Sequence, residues 1–168
     1  MYYPDEHLEF VGEAWKTASP ARLAELAHHI NPFVVGSAMR NKVCPCSTEL
    51  QTKVLRTNKN SLVWRAIAGV ATSESLLREI FSLRHLDGWL CLCLAGNPSL
   101  LADLGEELSR ENADSWLLPH ALFFNPSTSN ALRKEILERI EKREGHLDLK
   151  DYEVGVMRKW LAHKELEN

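Results

Sequence analysis

Two pairs of cysteines carry the spacing in this sequence that is most suggestive of chemistry. Cys44 and Cys46 form one C-x-C pair, and Cys91 and Cys93 form the other. Four thiolates could bind zinc, but structural zinc sites usually pair cysteines that are separated by two to four residues. If Cys91 and Cys93 lie on a helix, their side chains point about 200° apart, so one metal would not easily reach both. We favour the alternative, that these thiols pack as small apolar groups, and no metal or cofactor is predicted.

The remaining residue types that often carry catalysis show no recognisable arrangement. The seven histidines do not form an H-E-x-x-H or similar ligand motif. No nucleophile elbow, phosphate-binding loop, dinucleotide fingerprint or kinase signature occurs. We therefore predict no catalytic residue and a non-enzymatic protein, with an active site assembled from several helices as the alternative.

Residues 40–59 form a basic stretch in a chain whose net charge is −3. They include five basic residues and one acidic residue, whereas residues 101–168 include fourteen acidic and ten basic residues. A basic patch could meet an acidic protein or a phosphate backbone, and a solvated helix face explains it equally well. No aromatic residues that could stack on bases are interleaved with it, which weakens nucleic-acid binding. The basic candidates for partner binding are Arg40, Lys42, Lys53, Arg56 and Lys59.

Tryptophan is the residue type that most often anchors an interface. Trp89 and Trp116 recur at the same place in a repeat that is described below, and this regular placement predicts core positions. Trp64 stands two places later than these in its own repeat, so it could face differently. We take Trp64 as the candidate exposed anchor.

The elements that must position these residues follow from an internal period of about 27 residues. Two sets of apolar residues, four positions apart, recur with spacings of 27, 27, 27 and 28. Positions i and i+4 share one helix face, so each repeat contains a helix with the same buried face, here named helix B. The first set is Leu23, Leu50, Leu77, Leu104 and Leu132, and the second is Ala27, Val54, Phe81, Leu108 and Ile136.

A third, polar set marks the start of another helix in each repeat, here named helix A. Asp and Asn are favoured N-caps because their side chains accept hydrogen bonds from free backbone N–H groups. The predicted A helices span 6–17, 32–43, 61–71, 88–97 and 115–125, and the B helices span 20–29, 48–57, 74–85, 100–111 and 129–143. The predicted caps of the A helices are Asp5, Asn31, Asn60, Asp87 and Asp114.

The pattern predicts an all-α fold, an α-solenoid of about five stacked helical hairpins with a C-terminal capping helix. One hairpin cannot bury its own apolar face, so neighbours must stack. No linker rich in Gly, Ser or Pro interrupts the chain, which indicates one domain over residues 1–168. The predicted repeats lie near 5–30, 31–59, 60–86, 87–113 and 114–145, followed by the capping helix at 148–166.

Three segments resemble the leucine-rich repeat variant family, a HEAT-like group of short helical repeats. They are residues 63–69, 92–98 and 121–128, within a resemblance that covers about residues 20–143. In that family an Ala-rich helix ends in an Asn-Pro turn, which here matches Asn97 and Asn125 with the prolines that follow them. The resemblance implies a curved α-solenoid, and such solenoids usually bind proteins and sometimes nucleic acid. The cysteine-rich segment that holds an iron–sulfur cluster in some members has no counterpart here.

Composition and the N-terminal sequence favour a cytoplasmic protein. With 45% hydrophobic residues and 26% charged residues, the composition is that of an ordinary globular protein. The first residues form neither a basic nor an apolar segment, so we expect no secretory signal, and no apolar run is long enough for a membrane span. The four cysteines are then expected to stay reduced.

These observations predict a protein-binding module that acts as an adaptor, a regulator or a neutraliser of a protein partner through one face of the solenoid. The alternative is nucleic-acid binding through the basic second repeat. The residues proposed to bind the partner are Arg40, Lys42, Lys53, Arg56, Lys59 and Trp64.

Overall fold

The structure is a computed structural model that describes residues 8–112, 117–142 and 151–166. Within these ranges the secondary structure is helical and contains no β-strand, as the all-α prediction expected. The α-helices are α1 (Leu8–Lys16), α2 (Pro20–Leu26), α3 (Pro32–Met39), α4 (Thr48–Thr57), α5 (Ser61–Ala68), α6 (Glu74–Ser82), α7 (Gly88–Ala95), α8 (Ala102–Glu111), α9 (Leu117–Phe124), α10 (Asn130–Lys142) and α11 (Asp151–Leu166). A short 3-10 helix, Arg84–Leu86, lies between α6 and α7.

The chain forms two compact units, residues 1–99 and residues 100–168. The boundary falls inside the predicted fourth repeat, residues 87–113. The single domain over residues 1–168 stays a prediction.

In the first unit the A helices contact one another in series, and the B helices pack against them. The helix α3 contacts α1 and α5, and α5 in turn contacts α7. The B helix α2 contacts α1 and α3, α4 contacts α5, and α6 contacts α5 and α7. The core between them consists of aliphatic side chains that are 0% exposed: Val34, Val35, Val63, Ile67, Leu77, Ile80, Leu90 and Leu94.

The buried face predicted for the B helices is confirmed in the described residues. All five members of the second apolar set are buried, and Phe81, at 6% exposed, is the most exposed of them. In the first set Leu50 is half-buried, and the other four leucines are buried. Burying one Leu or Phe side chain stabilises a fold by about 1.5–3 kcal/mol, so this recurring face is a main source of stability.

Polar caps begin the A helices α3, α5 and α7, as the sequence predicted. In each, the side-chain oxygen of the cap residue accepts a hydrogen bond from the backbone N–H two residues later. This satisfies one of the N–H groups that a helix start leaves without a helical partner. The bonds are Phe33 N–H to Asn31 at 2.9 Å, Leu62 N–H to Asn60 at 2.9 Å and Trp89 N–H to Asp87 at 3.1 Å. The other two predicted caps, Asp5 and Asp114, lie outside the described residues.

Two buried asparagines tie the end of one A helix to the end of the preceding one. The amide Nδ2 of Asn41 donates to the carbonyls of Ala14 and Thr17, at 2.8 and 2.9 Å. The Nδ2 of Asn97 donates in the same way to the carbonyls of Ala68 and Ala71, at 2.7 and 2.8 Å. These carbonyls lie at helix ends, where helical partners are lacking. The asparagines therefore hold successive A helices in register.

The A helices are shorter than predicted because these turns close early. The backbone N–H groups of Asn41, Val70 and Asn97 each donate to the carbonyl three residues before, at 3.2, 3.0 and 3.0 Å. Bonds of this kind tighten the last turn and end a helix. These three helices end two to four residues before the ends that the apolar pattern predicts.

In the second unit a buried arginine joins three helices. Arg133 of α10 is 5% exposed, and its guanidinium donates to the carbonyls of Phe123 and Asn125 at 2.9 and 2.7 Å. Its guanidinium carbon lies 4.5 Å from the centroid of the Trp160 ring on α11. Burial lowers the pKa of Arg133 from its usual value.

The predicted C-terminal helix is present as α11. Val154, Met157 and Leu161 are buried, whereas Val156 is 37% exposed. The buried side chains therefore follow an i, i+3, i+7 spacing, which is the spacing of one helix face.

Candidate functional site

Large apolar side chains stand exposed at the same position of two A helices, α3 and α7. This position is two residues after the polar cap. Phe33 is 51% exposed and Trp89 is 56% exposed, and Leu62 at the equivalent position is half-buried. The backbone N–H of each of these residues donates to the side chain of its cap, so the cap fixes the backbone from which the apolar side chain extends.

The side chains two places further along point the other way. Val35, Trp64 and Cys91 stand four residues after their caps and are 0%, 8% and 6% exposed. Two residues correspond to about 200° around a helix, so positions two and four after the cap lie on opposite faces. The helices α3, α5 and α7 thus bury one face and turn another toward solvent.

Our assignment of the tryptophans is therefore wrong on two counts. Trp64, predicted to be an exposed anchor, is 8% exposed, and its indole Nε1 donates to the carbonyl of Asn58 at 2.7 Å. Trp89, predicted to lie in the core, is more than half exposed. Regular recurrence was taken to mean burial, although a regular exposed face recurs in the same way. Trp116 lies outside the described residues.

An open groove of about 260 Å³ runs along the exposed face of the A helices. We call it the A-helix groove. Its lining includes Trp15 of α1, Phe33 of α3 and Leu62 of α5 as apolar walls. The smaller side chains of Ser37, Ala66 and Cys93, each one helical turn after the exposed apolar position, also line it. Because small residues alternate with large ones along the helices, the surface is concave there.

Trp89 belongs to the same face as this groove. It stands four residues before Cys93 on α7, and residues four apart share a helix face. The guanidinium carbon of Arg65, a groove residue, lies 6.0 Å from the centroid of the Trp89 ring.

Arg65 is fixed by a two-point ion pair with the cap residue of the next A helix. Its Nε and Nη2 donate to the two carboxylate oxygens of Asp87, at 2.5 and 2.8 Å. The side chains are 26% and 8% exposed, so the pair is largely shielded from water. The hydrogen bond from Arg65 lowers the pKa of Asp87, and the same bond raises the pKa of Arg65. Both groups are therefore charged at neutral pH and neutralise each other.

Arg40 is the second arginine of the groove. It is exposed, and within the part of the chain that the structure describes it forms no ion pair. None of the described groove residues is acidic. Because Asp87 offsets the charge of Arg65, the groove carries a net positive charge at Arg40.

The structure does not gather the five predicted basic residues into one patch. Arg40 and Lys42 lie where α3 leads into α4, whereas Lys59 lies between α4 and α5. The ten residues of α4 span about 15 Å between these two ends. Of the five, Arg40 is the one that lines the A-helix groove.

Arg56 and Lys53 lie on the B helix α4. The guanidinium of Arg56 donates to both carboxylate oxygens of Glu79 on α6, at 2.8 and 2.9 Å. This pair raises the pKa of Arg56 and lowers that of Glu79. Lys59 lines a separate, polar hollow that also includes His28 and His29. The basic stretch therefore divides among at least two surfaces.

The cysteines pack locally. All four are free thiols, and the Sγ of Cys46 lies 3.3 Å from the carbonyl oxygen of Ala38. Burial raises the pKa of Cys46 to about 11, and burial also raises that of Cys93. Among the described residues, which include all four cysteines, no group of three or more His, Cys, Asp or Glu could hold a metal ion.

Comparison with protein families, with curated proteins and with solved structures found no match for this chain. The A-helix groove is therefore the feature of this structure that indicates a function. No helix within residues 8–112, 117–142 and 151–166 is both long and apolar enough to cross a bilayer.

Proposed function

We propose that this protein is a non-enzymatic binding module that recognises a protein partner through the A-helix groove. The observation that carries the proposal is the exposure of Phe33 and Trp89 at the same position of two A helices, with Leu62 between them in sequence. Exposed aromatic residues beside an arginine are the residue types that are enriched at interface hot spots. A partner that covers large apolar groups removes them from water, and this burial contributes favourably to the free energy of binding.

The architecture fits this role. We propose that the alternating A and B helices form a short α-solenoid, in which each repeat adds one large apolar residue and one small residue to the same face. Such repetition produces an extended concave surface of the kind that repeat proteins use for binding. The described groove is smaller than the 300–1,000 Å³ that is usual for small-molecule sites, which favours a partner that inserts single side chains.

The free thiols support a reducing compartment for this activity. Disulfides form and persist in oxidising environments, and all four cysteines of this chain are free. We propose that the protein binds its partner in the cytoplasm.

The proposal is tested by affinity capture with three forms of the protein. The first is the wild type, and the second is the double variant Phe33→Ser/Trp89→Ser. The third is the control Val43→Ser, which removes an apolar side chain that is 61% exposed and does not line the groove. Each captured protein is quantified by mass spectrometry, and its affinity is then measured with purified components.

The expected result is a partner captured equally by the wild type and by Val43→Ser, and at least tenfold less by the double variant. Tenfold corresponds to about 1.4 kcal/mol, which is modest for two hot-spot side chains. Equal capture by all three forms would show that the A-helix groove does not bind the partner. Capture that nuclease treatment abolishes would favour the alternative function, nucleic-acid binding.

A further inference from the structure

We propose that the segment bound in the A-helix groove is an acidic peptide, in which a carboxylate side chain accompanies an apolar anchor. This inference rests on the proposed function and adds the chemistry of the partner. Three features of the groove carry it: its charge, the position of that charge on the helix of Phe33, and the Trp89 ring beside Arg65.

The charge of the groove is positive and localised. Arg40 and Arg65 line it, and no described lining residue is acidic. Arg65 has its charge matched by Asp87 through two hydrogen bonds, whereas Arg40 is exposed and has no ion pair among the described residues. A carboxylate that reaches Arg40 completes an ion pair that no residue of the described ranges supplies, and guanidinium groups bind carboxylates through two parallel hydrogen bonds.

One of the apolar walls, Phe33, lies on the same helix as this charge. Phe33 is near the start of α3, and Arg40 is the residue that follows its end. Seven residues of helix separate them by about 10 Å along the axis. A peptide that places an apolar side chain against Phe33 can therefore place a carboxylate on Arg40 within two helical turns or about three extended residues.

The position of Trp89 extends the same recognition surface. Its ring lies beside Arg65, whose guanidinium is already fixed by Asp87. Trp89 thus presents an apolar surface next to the neutralised Arg65–Asp87 pair. Phe33 presents an apolar surface on α3, the helix that ends at Arg40. The arrangement favours an acidic group at the Arg40 end of the bound peptide.

A nucleic acid fits this surface less well. A phosphate backbone repeats its charge at every nucleotide and is bound by several cations along its path. Here Arg40 is the unmatched arginine of the groove, while Lys53, Arg56 and Lys59 lie on or beside the B helix α4. We therefore commit to a peptide and let nucleic-acid binding be an outcome of the test.

The test is a selection of binding peptides from a random library of 12-residue peptides displayed on phage, with the full chain immobilised. Selected peptides are synthesised, and their affinities are measured by fluorescence polarisation for the wild type and three variants. Arg40→Glu reverses the unmatched charge, and Phe33→Ser/Trp89→Ser removes the apolar surface. Lys53→Glu is the matched control, because it makes the same charge change at an exposed residue of α4 outside the groove.

We expect the selected peptides to share a net negative charge and at least one large apolar residue. Arg40→Glu should weaken their binding about fivefold or more, since it replaces an attraction by a repulsion at a solvent-exposed site. The double variant should weaken it at least tenfold, and Lys53→Glu should change it less than twofold. The Arg40 effect should shrink in 0.5 M salt, because exposed charges are screened.

The outcomes separate this inference from the proposed function. Peptides that depend on Phe33 and Trp89, but are neutral or basic or indifferent to Arg40→Glu, would overturn the acidic chemistry and leave the groove as the binding face. A selection that yields no groove-dependent peptide would overturn both. Tighter binding of a single-stranded RNA probe than of any selected peptide, lost in Lys53→Glu, would also overturn the acidic-peptide proposal.

Discussion

Replacing Asn97 by alanine should destabilise the protein far more than an ordinary loop substitution. Asn97 is 1% exposed, and its amide nitrogen donates to two buried carbonyls, those of Ala68 and Ala71. Its side-chain oxygen accepts from the backbone N–H of Ser99 at 2.8 Å. Each hydrogen bond contributes about 1 kcal/mol, and buried groups left without partners add to the loss, so we expect a loss of about 3 kcal/mol.

The matched control is Asn112→Ala. Asn112 ends α8 and makes one local hydrogen bond, from Nδ2 to the carbonyl of Leu108 at 3.1 Å. The same substitution there should lower the free energy of unfolding by about 1 kcal/mol or less. The free energies are measured by urea titration of the circular dichroism at 222 nm, and thermal scans should show Asn97→Ala melting about 6–12 °C below the wild type. A loss at Asn97 no larger than that at Asn112 would refute the proposal that buried asparagines hold the A helices in register.

Three further predictions concern single side chains. Asp87→Asn should lower the free energy of unfolding at pH 7. Because Arg65 holds the pKa of Asp87 below its usual value, this loss of stability should shrink as the pH falls from about 4 through the lowered pKa. A loss that stays constant in urea titrations between pH 6 and pH 2 would contradict this. Trp64→Phe should lower the free energy of unfolding by about 1 kcal/mol, since it removes the 2.7 Å hydrogen bond to the half-buried carbonyl of Asn58. A urea midpoint equal to that of the wild type would show that this hydrogen bond does not stabilise the fold. The thiol of Cys46, with a pKa of about 11, should react with Ellman's reagent at pH 8 only as fast as the protein opens. The fast phase of the reaction should therefore be the same in Cys46→Ser as in the wild type, and its loss in that variant would contradict the prediction.

The sequence predicts the helices well because their signals are local. A cap such as Asn60 acts on an N–H two residues away, and the apolar set that includes Val54 lies on one face of one helix. Both effects depend on neighbours in sequence, so their spacing is visible without a structure.

The helix ends and the exposed face depend on contacts between repeats. Asn41 ends its helix while bonding carbonyls of α1, which are more than twenty residues away. Nothing local shows that this asparagine is buried. The sequence does contain one usable signal that we missed. Phe33 and Val35 are two residues apart, which is about 200° around a helix, so both cannot face one core. The apolar residue four places after each cap therefore identifies the buried face, and the residue two places after the cap identifies the exposed one.

The basic stretch illustrates a second limit. Residues 40–59 are adjacent in sequence, but the ten-residue helix α4 lies between Arg40 and Lys59 and places them at its opposite ends. Composition also does not show that Glu79 pairs with Arg56. A charge count along the chain therefore overestimated the size of the patch.

The central claim, that the A-helix groove binds a protein partner, is tested most directly by site-specific photo-crosslinking in cells. Benzoylphenylalanine is placed at Phe33 or Trp89 in the groove face, and at Val43 or Lys53 as exposed controls elsewhere on the first unit. We predict that the first two positions form a covalent adduct with the same protein, and that the two control positions do not. Adducts of equal yield from Lys53, or none from Phe33 and Trp89, would contradict the claim.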